Sequence, residues 1–419
     1  MQGEEPTGLK PMAQRYERPA WVRRLNSIVE ASGASLRDLV PIDADGLLDT
    51  GVRAAGGMPK GDFGDPHWQD AFLRLARSID TGDLHLLGRL ITKGELLRSV
   101  RSRLLMTHEV DNNPAILDGK VAAPVIVTGP ARSGTSILFE LLSLDPDLVA
   151  PAAWQALHPV AHAGDGDEAG DERLQLSEFE QELWADLQPE FAAIHELRSD
   201  LPVECVTLCM PSFTGPHWAM IAKLGEWVPE MDRDYQFHRH MLQFLQRNDP
   251  GCTWLLKTPG HLGNLPMLFE TYPDAWVVQT HRDPAKTMPS TVSTTAMVQW
   301  MRTDQVDLDM LRAVIDGVFG NALNDSVTLR ESGGLPKRFV DVHFLKLLKD
   351  PVETLRRAYG SMERDFNPEH GERIRAYLAD KPKGKFGVHR YTPEEWGFTR
   401  EDLHNRLAPY INHYGVELE

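Results

Sequence analysis

The residues with the clearest capacity for chemistry form a glycine-rich segment, Gly129 to Ser136 (GPARSGTS), directly after a short apolar run. Such a loop at the start of a helix presents backbone N–H groups and the positive end of the helix dipole, which together bind phosphate. Arg132 can add a positive charge, and Thr135 and Ser136 can add hydroxyl groups. The alternative is a Gly/Ser turn that only opens a helix, but the strand-loop-helix context favours phosphate binding.

The segment differs at one position from the loop that binds nucleoside triphosphates. Thr135 stands where that loop requires a lysine, whose role is to contact the β- and γ-phosphates beside a magnesium ion. A ligand without a γ-phosphate does not need this lysine. The sequence therefore favours another phosphorylated nucleotide. A small-molecule kinase or other nucleoside triphosphatase, and a catalytically silent nucleotide-binding protein, are the alternatives.

A second candidate for anion binding follows a later predicted strand. Arg282 lies at the end of that strand, and Ser290 lies eight residues further on. Arginine suits phosphate because its planar guanidinium group donates paired hydrogen bonds. Pro289 should bend the following helix just before Ser290, because it removes one backbone donor. The alternative is an ion pair between Arg282 and Asp283, with Ser290 in solvent.

Several segments together resemble the sulfotransferase family. The family's 5′-phosphosulfate loop resembles Pro130 to Ser136, and further similar segments occur along the chain in the family's order: Asp62 to Asp65, Pro202 to Cys205, Leu256 to Leu262 (LKTPGHL), Val277 to Ser290, and His389 to Tyr391. The resemblance covers most of the chain. It implies an enzyme that uses 3′-phosphoadenosine 5′-phosphosulfate (PAPS) as its sulfuryl donor.

The resemblance also implies which residues bind this donor. The loop residues expected at the 5′-phosphosulfate are Arg132, Ser133, Gly134, Thr135 and Ser136. Arg282 and Ser290 match the family's pair for the 3′-phosphate. Residues 383–387 (KGKFG) loosely resemble the segment that closes over this phosphate, which makes Lys385 a further candidate. An exposed basic turn is the alternative there.

Sulfuryl transfer requires a base for the acceptor proton and a cation beside the leaving phosphate. Lys257 ends a predicted strand and is the candidate cation. His261 is a candidate base, because imidazole titrates near neutral pH. In the best-known cytosolic sulfotransferases the Lys and His are two residues apart, whereas here the separation is four. Other branches of the family use glutamate, so Glu204 and, in the same segment, His195 are also candidates for the base.

The candidate residues follow short apolar segments that are typical of buried strands, at 124–128, 253–256, 275–279 and 338–342. Helical patterns separate these segments. The alternation predicts an α/β fold in which helices flank a mainly parallel sheet. Ligands of such sheets bind at the carboxyl ends of the strands, which is where the candidate residues lie.

The pattern also predicts the organisation of the chain. Amphipathic segments at 21–31, 43–55, 68–78 and 83–105 predict a helical N-terminal region over residues 1–120. Residues 121–419 are predicted to form the α/β domain, with a helical insertion around 150–250. Residues 161–173 (AHAGDGDEAGDER) predict a surface loop.

The composition of the 419-residue chain narrows the classes of partner. A formal net charge of −17 argues against binding to nucleic acid or an anionic membrane. Three cysteines cannot form a disulfide framework, and no segment reads as a signal peptide or a membrane span, so we expect a cytoplasmic protein. We also expect a small-molecule acceptor with a hydroxyl or amine group and no required metal. The pattern leaves the oligomeric state open.

Overall fold

The computed structural model describes residues 9–161, 169–194, 196–221, 224–381 and 391–419. Within them one sheet contains the strands β1 (Val125–Thr128), β2 (Leu255–Lys257), β3 (Trp276–His281) and β4 (Phe339–His343). All neighbouring strands are parallel, in the order β2-β1-β3-β4. The predicted α/β fold with a parallel sheet is confirmed.

The helices before the sheet form the predicted helical N-terminal region: α1 (Ala20–Ser32), α2 (Leu36–Leu39), α3 (Ala44–Ala54), α4 (Trp68–Thr81) and α5 (Leu86–Asn112). The helices between β1 and β2 are α6 (Thr135–Leu142), α7 (Ala153–Leu157), α8 (Ala169–Leu187), α9 (Cys205–Leu208), α10 (Pro216–Ile221) and α11 (Met231–Leu245). The remaining helices are α12 (Leu265–Thr271), α13 (Pro284–Trp300), α14 (Leu308–Ile315), α15 (Asn321–Glu331), α16 (Phe344–Lys349), α17 (Pro351–Ser361), α18 (Pro368–Asp380), α19 (Arg400–Arg406) and α20 (Ala408–Tyr414).

Strand β1 lies inside the sheet, with β2 on one side and β3 on the other. Its β-branched residues are buried on both faces, as expected for a parallel sheet covered by helices. Val127 pairs with Lys257 in β2, and Thr128 pairs with Gln279 in β3. The register therefore places the loop after β1 between the end of β2 and the end of β3.

The N-terminal helices pack against the rest of the protein. Phe72 of α4 and Leu104 of α5 share one hydrophobic core with Phe213 and Trp218, which lie between β1 and β2. Phe63 likewise belongs to the core that contains the sheet. Because these cores join residues on both sides of position 120, the predicted division of the chain there stays a prediction.

Two helices begin at Asp-Pro pairs. Asp283 caps α13 by accepting a hydrogen bond from the main-chain N of Ala285 at 2.8 Å. Asp350 caps α17 in the same way through the main-chain N of Glu353 at 3.0 Å. The fixed φ of proline suits the first helical position, so these dipeptides mark the ends of the loops that follow β3 and α16.

The predicted loop over 161–173 is wrong at its C-terminal end, because helix α8 already begins at Ala169. Residues 162–168 lie outside the described part of the chain. The segment from Glu172 onwards is rich in Glu, Leu, Gln and Arg, which are strong helix formers. The acidic and glycine-rich composition of residues 161–173 made the start of α8 hard to predict. Among the described residues, no helix is both long and apolar enough to cross a membrane.

Candidate active site

The loop between β1 and α6 turns sharply through residues with positive φ. Gly129 has φ of 134° and Gly134 has φ of 90°, while Arg132 adopts the left-handed conformation at 66°. A Cβ at Gly129 would lie 2.2 Å from Thr280 Oγ1, and a Cβ at Gly134 would lie 2.8 Å from Phe344 Cδ2. Only glycine therefore allows this close approach of the loop to β3 and to the segment after β4.

The hydroxyl groups of the loop have different environments. Ser133 is fully buried, and its Oγ lies 2.5 Å from both the Pro130 carbonyl oxygen and Thr280 Oγ1. Thr135, the first residue of α6, is also buried. Ser136 Oγ instead accepts a hydrogen bond from Lys257 Nζ at 3.3 Å. Ser133 thus holds the loop in shape, and Ser136 connects it to β2.

Lys257 lies at the centre of a polar cluster at the end of β2. Its Nζ donates to Glu204 Oε1 at 2.5 Å as well as to Ser136, and its side chain is only 2% exposed. Thr258 Oγ1 donates to the second carboxylate oxygen of Glu204 at 3.2 Å. Glu204 is the N-cap residue of α9 and keeps 24% of its side chain exposed. The structure therefore brings together a cation, a carboxylate and the glycine-rich loop after β1.

His261 lies in a separate environment from this cluster. It belongs to the 3₁₀ turn Pro259–Asn264 and is almost completely buried. Its Nδ1 is 2.6 Å from Tyr235 Oη. Burial lowers the pKa of His261 well below its ordinary value, and the neighbouring His238 lowers it further. The ring is therefore neutral at physiological pH, and the contacts above do not join it to Glu204 or Lys257.

The second cationic candidate lies on the opposite side of the loop. Arg282 directly follows β3, and its Nη1 donates to the carbonyl oxygen of Arg132 at 2.8 Å. Its guanidinium group also lies 4.0 Å from the centre of the Phe344 ring. Burial lowers the pKa of Arg132; Tyr391 opposes this shift, and Arg282 adds to it. The two arginines are therefore close enough to influence each other.

The guanidinium group of Arg282 is paired with the carboxylate of Glu419. Arg282 Nε is 2.7 Å from Glu419 Oε1, and Arg282 Nη2 is 3.0 Å from Glu419 Oε2. The main chain of Glu419 is held as well, since its N donates to Asp283 Oδ2 at 2.8 Å and Arg400 donates to its carbonyl oxygen. The alternative pairing of Arg282 with Asp283 is not the one observed. Arg282 is therefore oriented to donate two hydrogen bonds to one anion.

Two of the predicted donor residues have a buried polar atom that no described residue contacts by a hydrogen bond. Ser290 lies inside α13 and is fully buried, and its Oγ has no hydrogen-bond partner among the described residues. The same is true of Arg132 Nε. Buried polar atoms are normally hydrogen-bonded, so these two atoms keep Ser290 and Arg132 as candidates for contact with a ligand. Lys385 and His195 lie outside the described residues.

Three contacts of this region could not be found from the sequence motifs. Glu419 lies 137 residues beyond Arg282, and no local pattern links them. Phe344 directly follows β4 and lies close to both Arg282 and Gly134 of the loop. Tyr391 lies in a segment that resembles the sulfotransferases, and its Oη donates to the carbonyl oxygen of Lys286 at 2.6 Å. The strand order brings these distant segments together.

A glycine-rich phosphate loop between a parallel strand and a helix is the defining feature of P-loop nucleotide-binding proteins. Residues 124–368 of this chain match the sulfotransferase family (Sulfotransfer_3). The chain therefore belongs to the sulfotransferase family, and its class of enzyme is the PAPS-dependent sulfotransferase.

Comparison with individual proteins agrees with this family. Two relatives, both named omega-hydroxy-beta-dihydromenaquinone-9 sulfotransferase Stf3, come from Mycobacterium bovis and Mycobacterium tuberculosis; each is 25% identical over 308 residues, or 70% of this chain and 75% of the relative. The crystal structure of sulfotransferase STF9 from Mycobacterium avium has a TM-score of 0.76 at 24% identity and covers 90% of this chain and 97% of its own. For STF1 from Mycobacterium tuberculosis the TM-score is 0.61 at 23% identity, with 87% and 99% covered. Both structures support the fold.

Proposed function

We propose that the enzyme transfers the sulfuryl group of PAPS to a hydroxyl or amine of a small molecule, with the donor bound between β2 and β3. The observation that carries this proposal is the position of Lys257, whose Nζ contacts both Ser136 of the phosphate loop and the carboxylate of Glu204. A cation on the donor side and a proton acceptor on the other side are the two groups that the reaction needs.

The residues around the loop fit the two charged ends of PAPS. The loop and Arg132 suit the 5′-phosphosulfate, because backbone N–H groups at a helix start and a buried cation stabilise negative charge. Arg282 suits the 3′-phosphate, since it already forms two hydrogen bonds with a carboxylate. Ser290 supports this assignment with a buried hydroxyl that has no partner among the described residues.

The chemical roles follow from charge. Lys257 would neutralise the negative charge that develops on the oxygen of the leaving phosphate. The ionised Glu204 carboxylate has acceptor atoms only, and it would take the proton of the attacking hydroxyl or amine. We favour Glu204 over His261 as the base, because Glu204 retains exposure to solvent beside Lys257 whereas His261 is buried against Tyr235.

A hydroxyl group is the acceptor that we propose first. The relatives from Mycobacterium bovis and Mycobacterium tuberculosis carry the name of an omega-hydroxy compound. An amine is the second choice, because the same carboxylate could take its proton. The molecule that carries this hydroxyl or amine is selected by the apolar walls of the acceptor pocket, and these walls vary between enzymes of one fold.

The test is transfer of labelled sulfuryl from PAPS by the purified chain to a panel of alcohols, phenols and amines. We expect labelled product with at least one alcohol and, in the same samples, release of 3′-phosphoadenosine 5′-phosphate (PAP). PAP binding without transfer to any member of the panel would indicate a silent nucleotide-binding protein. Tighter binding of magnesium-ATP than of PAP would indicate a kinase or nucleoside triphosphatase instead.

Replacing Glu419 by glutamine should strengthen PAP binding. If Arg282 binds the 3′-phosphate, this phosphate must displace the Glu419 carboxylate, and the ion pair stabilises the state without nucleotide. Ion pairs near the protein surface contribute about 0.2–1 kcal/mol, so we expect Kd to fall by about 1.4- to fivefold. Calorimetric titration with PAP measures this change in Kd. Glu417→Gln removes an exposed charge nearby and serves as control; equal Kd values for Glu419→Gln and the wild type would contradict the prediction.

A further inference from the structure

Three buried side chains of types that can bind metals lie close together, and two of them are near Glu204 and Lys257 along the chain. Cys205, His238 and His261 each offer a ligand atom, and these atoms all lie within 4.8 Å of one another. The three side chains come from α9, α11 and the turn after β2. All three are at most 5% exposed. They are brought together by the fold, since at least 23 residues separate any two of them along the chain.

The hydrogen bonds of both histidines leave one nitrogen of each ring for a ligand. His238 Nδ1 is 2.6 Å from Tyr272 Oη, and His261 Nδ1 is 2.6 Å from Tyr235 Oη. Both Nε2 atoms are buried and have no hydrogen-bond partner among the described residues. A buried polar atom without a partner costs about 1–3 kcal/mol. Two such atoms beside a thiol are costly unless a further group satisfies both.

We propose that Cys205, His238 and His261 bind a divalent cation of the zinc type. Thiolate and imidazole are the ligands that zinc prefers, and three protein ligands leave a fourth position for water. A tetrahedral ion with bonds of about 2.0–2.3 Å holds its ligand atoms roughly 3.3–3.8 Å apart. Ligand atoms that now lie within 4.8 Å of one another would have to approach by up to about 1–1.5 Å to reach this geometry. The two tyrosine oxygens would accept the Nδ1–H hydrogens and so direct both Nε2 lone pairs to the ion.

The position of this site suggests that a bound ion would stabilise the segments that carry Glu204 and Lys257. Cys205 directly follows Glu204, and His261 lies four residues after Lys257. An ion would connect the segments that carry the proposed base and the proposed cation. It would also supply a role for the buried His261 other than proton transfer. The proposal does not depend on the identity of the sulfuryl acceptor or on PAPS binding.

Metal analysis of the full-length protein, purified without chelators from zinc-supplied cells, tests the proposal. We expect about one zinc per chain, the stoichiometry of a single site. Cys205→Ser and His238→Gln should lose this zinc. Cys252→Ser should keep it, because Cys252 is the one cysteine that is not fully buried and is outside the cluster. A chelator should lower the Tm of the wild type and of Cys252→Ser, but not that of Cys205→Ser.

Cobalt substitution of the wild type keeps the proposal testable if the variants do not fold. Co²⁺ added to the chelator-treated chain should produce the visible bands of tetrahedral cobalt and a near-ultraviolet band from sulfur-to-cobalt charge transfer. Absence of zinc after purification together with absence of these bands would overturn the proposal. A bridging water or a direct contact between the imidazoles would then satisfy the two nitrogens. If the wild type contains zinc but transfers no sulfuryl group to any acceptor, this result would count against the proposed function and not against the metal site.

Discussion

Replacing Glu204 by glutamine should lower kcat by about 10²–10⁴-fold, the usual contribution of a general base. The amide has nearly the shape of the carboxylate, but it cannot accept the proton of the acceptor. Lys257 and Thr258 donate to different oxygens of Glu204, so the amide oxygen can keep the bond to Lys257 while the amide nitrogen donates to the Thr258 hydroxyl. PAP should therefore bind with a Kd close to that of the wild type. Initial rates at saturating PAPS, together with calorimetric titration of PAP, measure both quantities.

Two further variants separate the candidate bases. Asp200→Asn removes an exposed carboxylate four residues before Glu204 and should leave kcat unchanged. His261→Gln should lower thermal stability, because it removes a buried ring that is bonded to Tyr235. Its kcat, measured at a temperature where it is fully folded, should exceed that of Glu204→Gln. The reverse order of the two kcat values would assign the base to His261.

Replacing Lys257 by methionine should lower kcat by about 10²–10³-fold, the effect of removing one group that stabilises transition-state charge. Methionine keeps much of the volume and loses the charge. The variant also leaves the partly buried Glu204 carboxylate without its 2.5 Å partner, so the free energy of unfolding should fall as well. Rates at saturating PAPS and denaturation curves measure these effects separately.

A double variant distinguishes the loss of stability from the loss of catalysis. Lys257→Met combined with Glu204→Gln removes both charges of the ion pair. Its free energy of unfolding should recover relative to Lys257→Met, because an uncompensated charge is no longer present. Its activity should not recover. Recovery of activity with stability would mean that Lys257 only holds the structure together.

The main features of the fold could be predicted from local patterns. Each strand is a short apolar run, and Asp283 and Asp350 each precede a proline at the start of a helix. These signals depend on neighbouring residues only. The glycine loop is equally local, because positive φ at Gly129 and Gly134 needs glycine whatever the distant structure is.

The partners of the candidate residues depend on distant contacts and could not be predicted in this way. The sequence suggested Glu204 and His261 as bases without a means to choose between them. The strand order places Glu204 against Lys257, and the packing of α11 buries His261 beside Tyr235. Ser133 was predicted to contact the donor, yet its hydroxyl points to Thr280 in the interior. The donor contact of Ser133 stays a prediction.

The cluster of Cys205, His238 and His261 could not be predicted from local patterns either. Cys205 and His238 carry no motif of closely spaced ligands, and the sequence led us to expect no required metal. Only the crossing of α9, α11 and the turn after β2 places their side chains beside His261. The zinc site is a proposal from this packing, and the metal analysis decides between it and the original expectation.

The proposed donor site depends most directly on our proposal that Arg282 recognises the 3′-phosphate of the donor. Its most direct test is calorimetric titration of the wild type and Arg282→Ala with PAP and with adenosine 5′-phosphate. We predict that the wild type prefers PAP, and that the variant loses about 1.5–3 kcal/mol of PAP binding, or roughly 10- to 150-fold in Kd, with little change for adenosine 5′-phosphate. An equal loss for both nucleotides, or no loss for PAP, would contradict the claim.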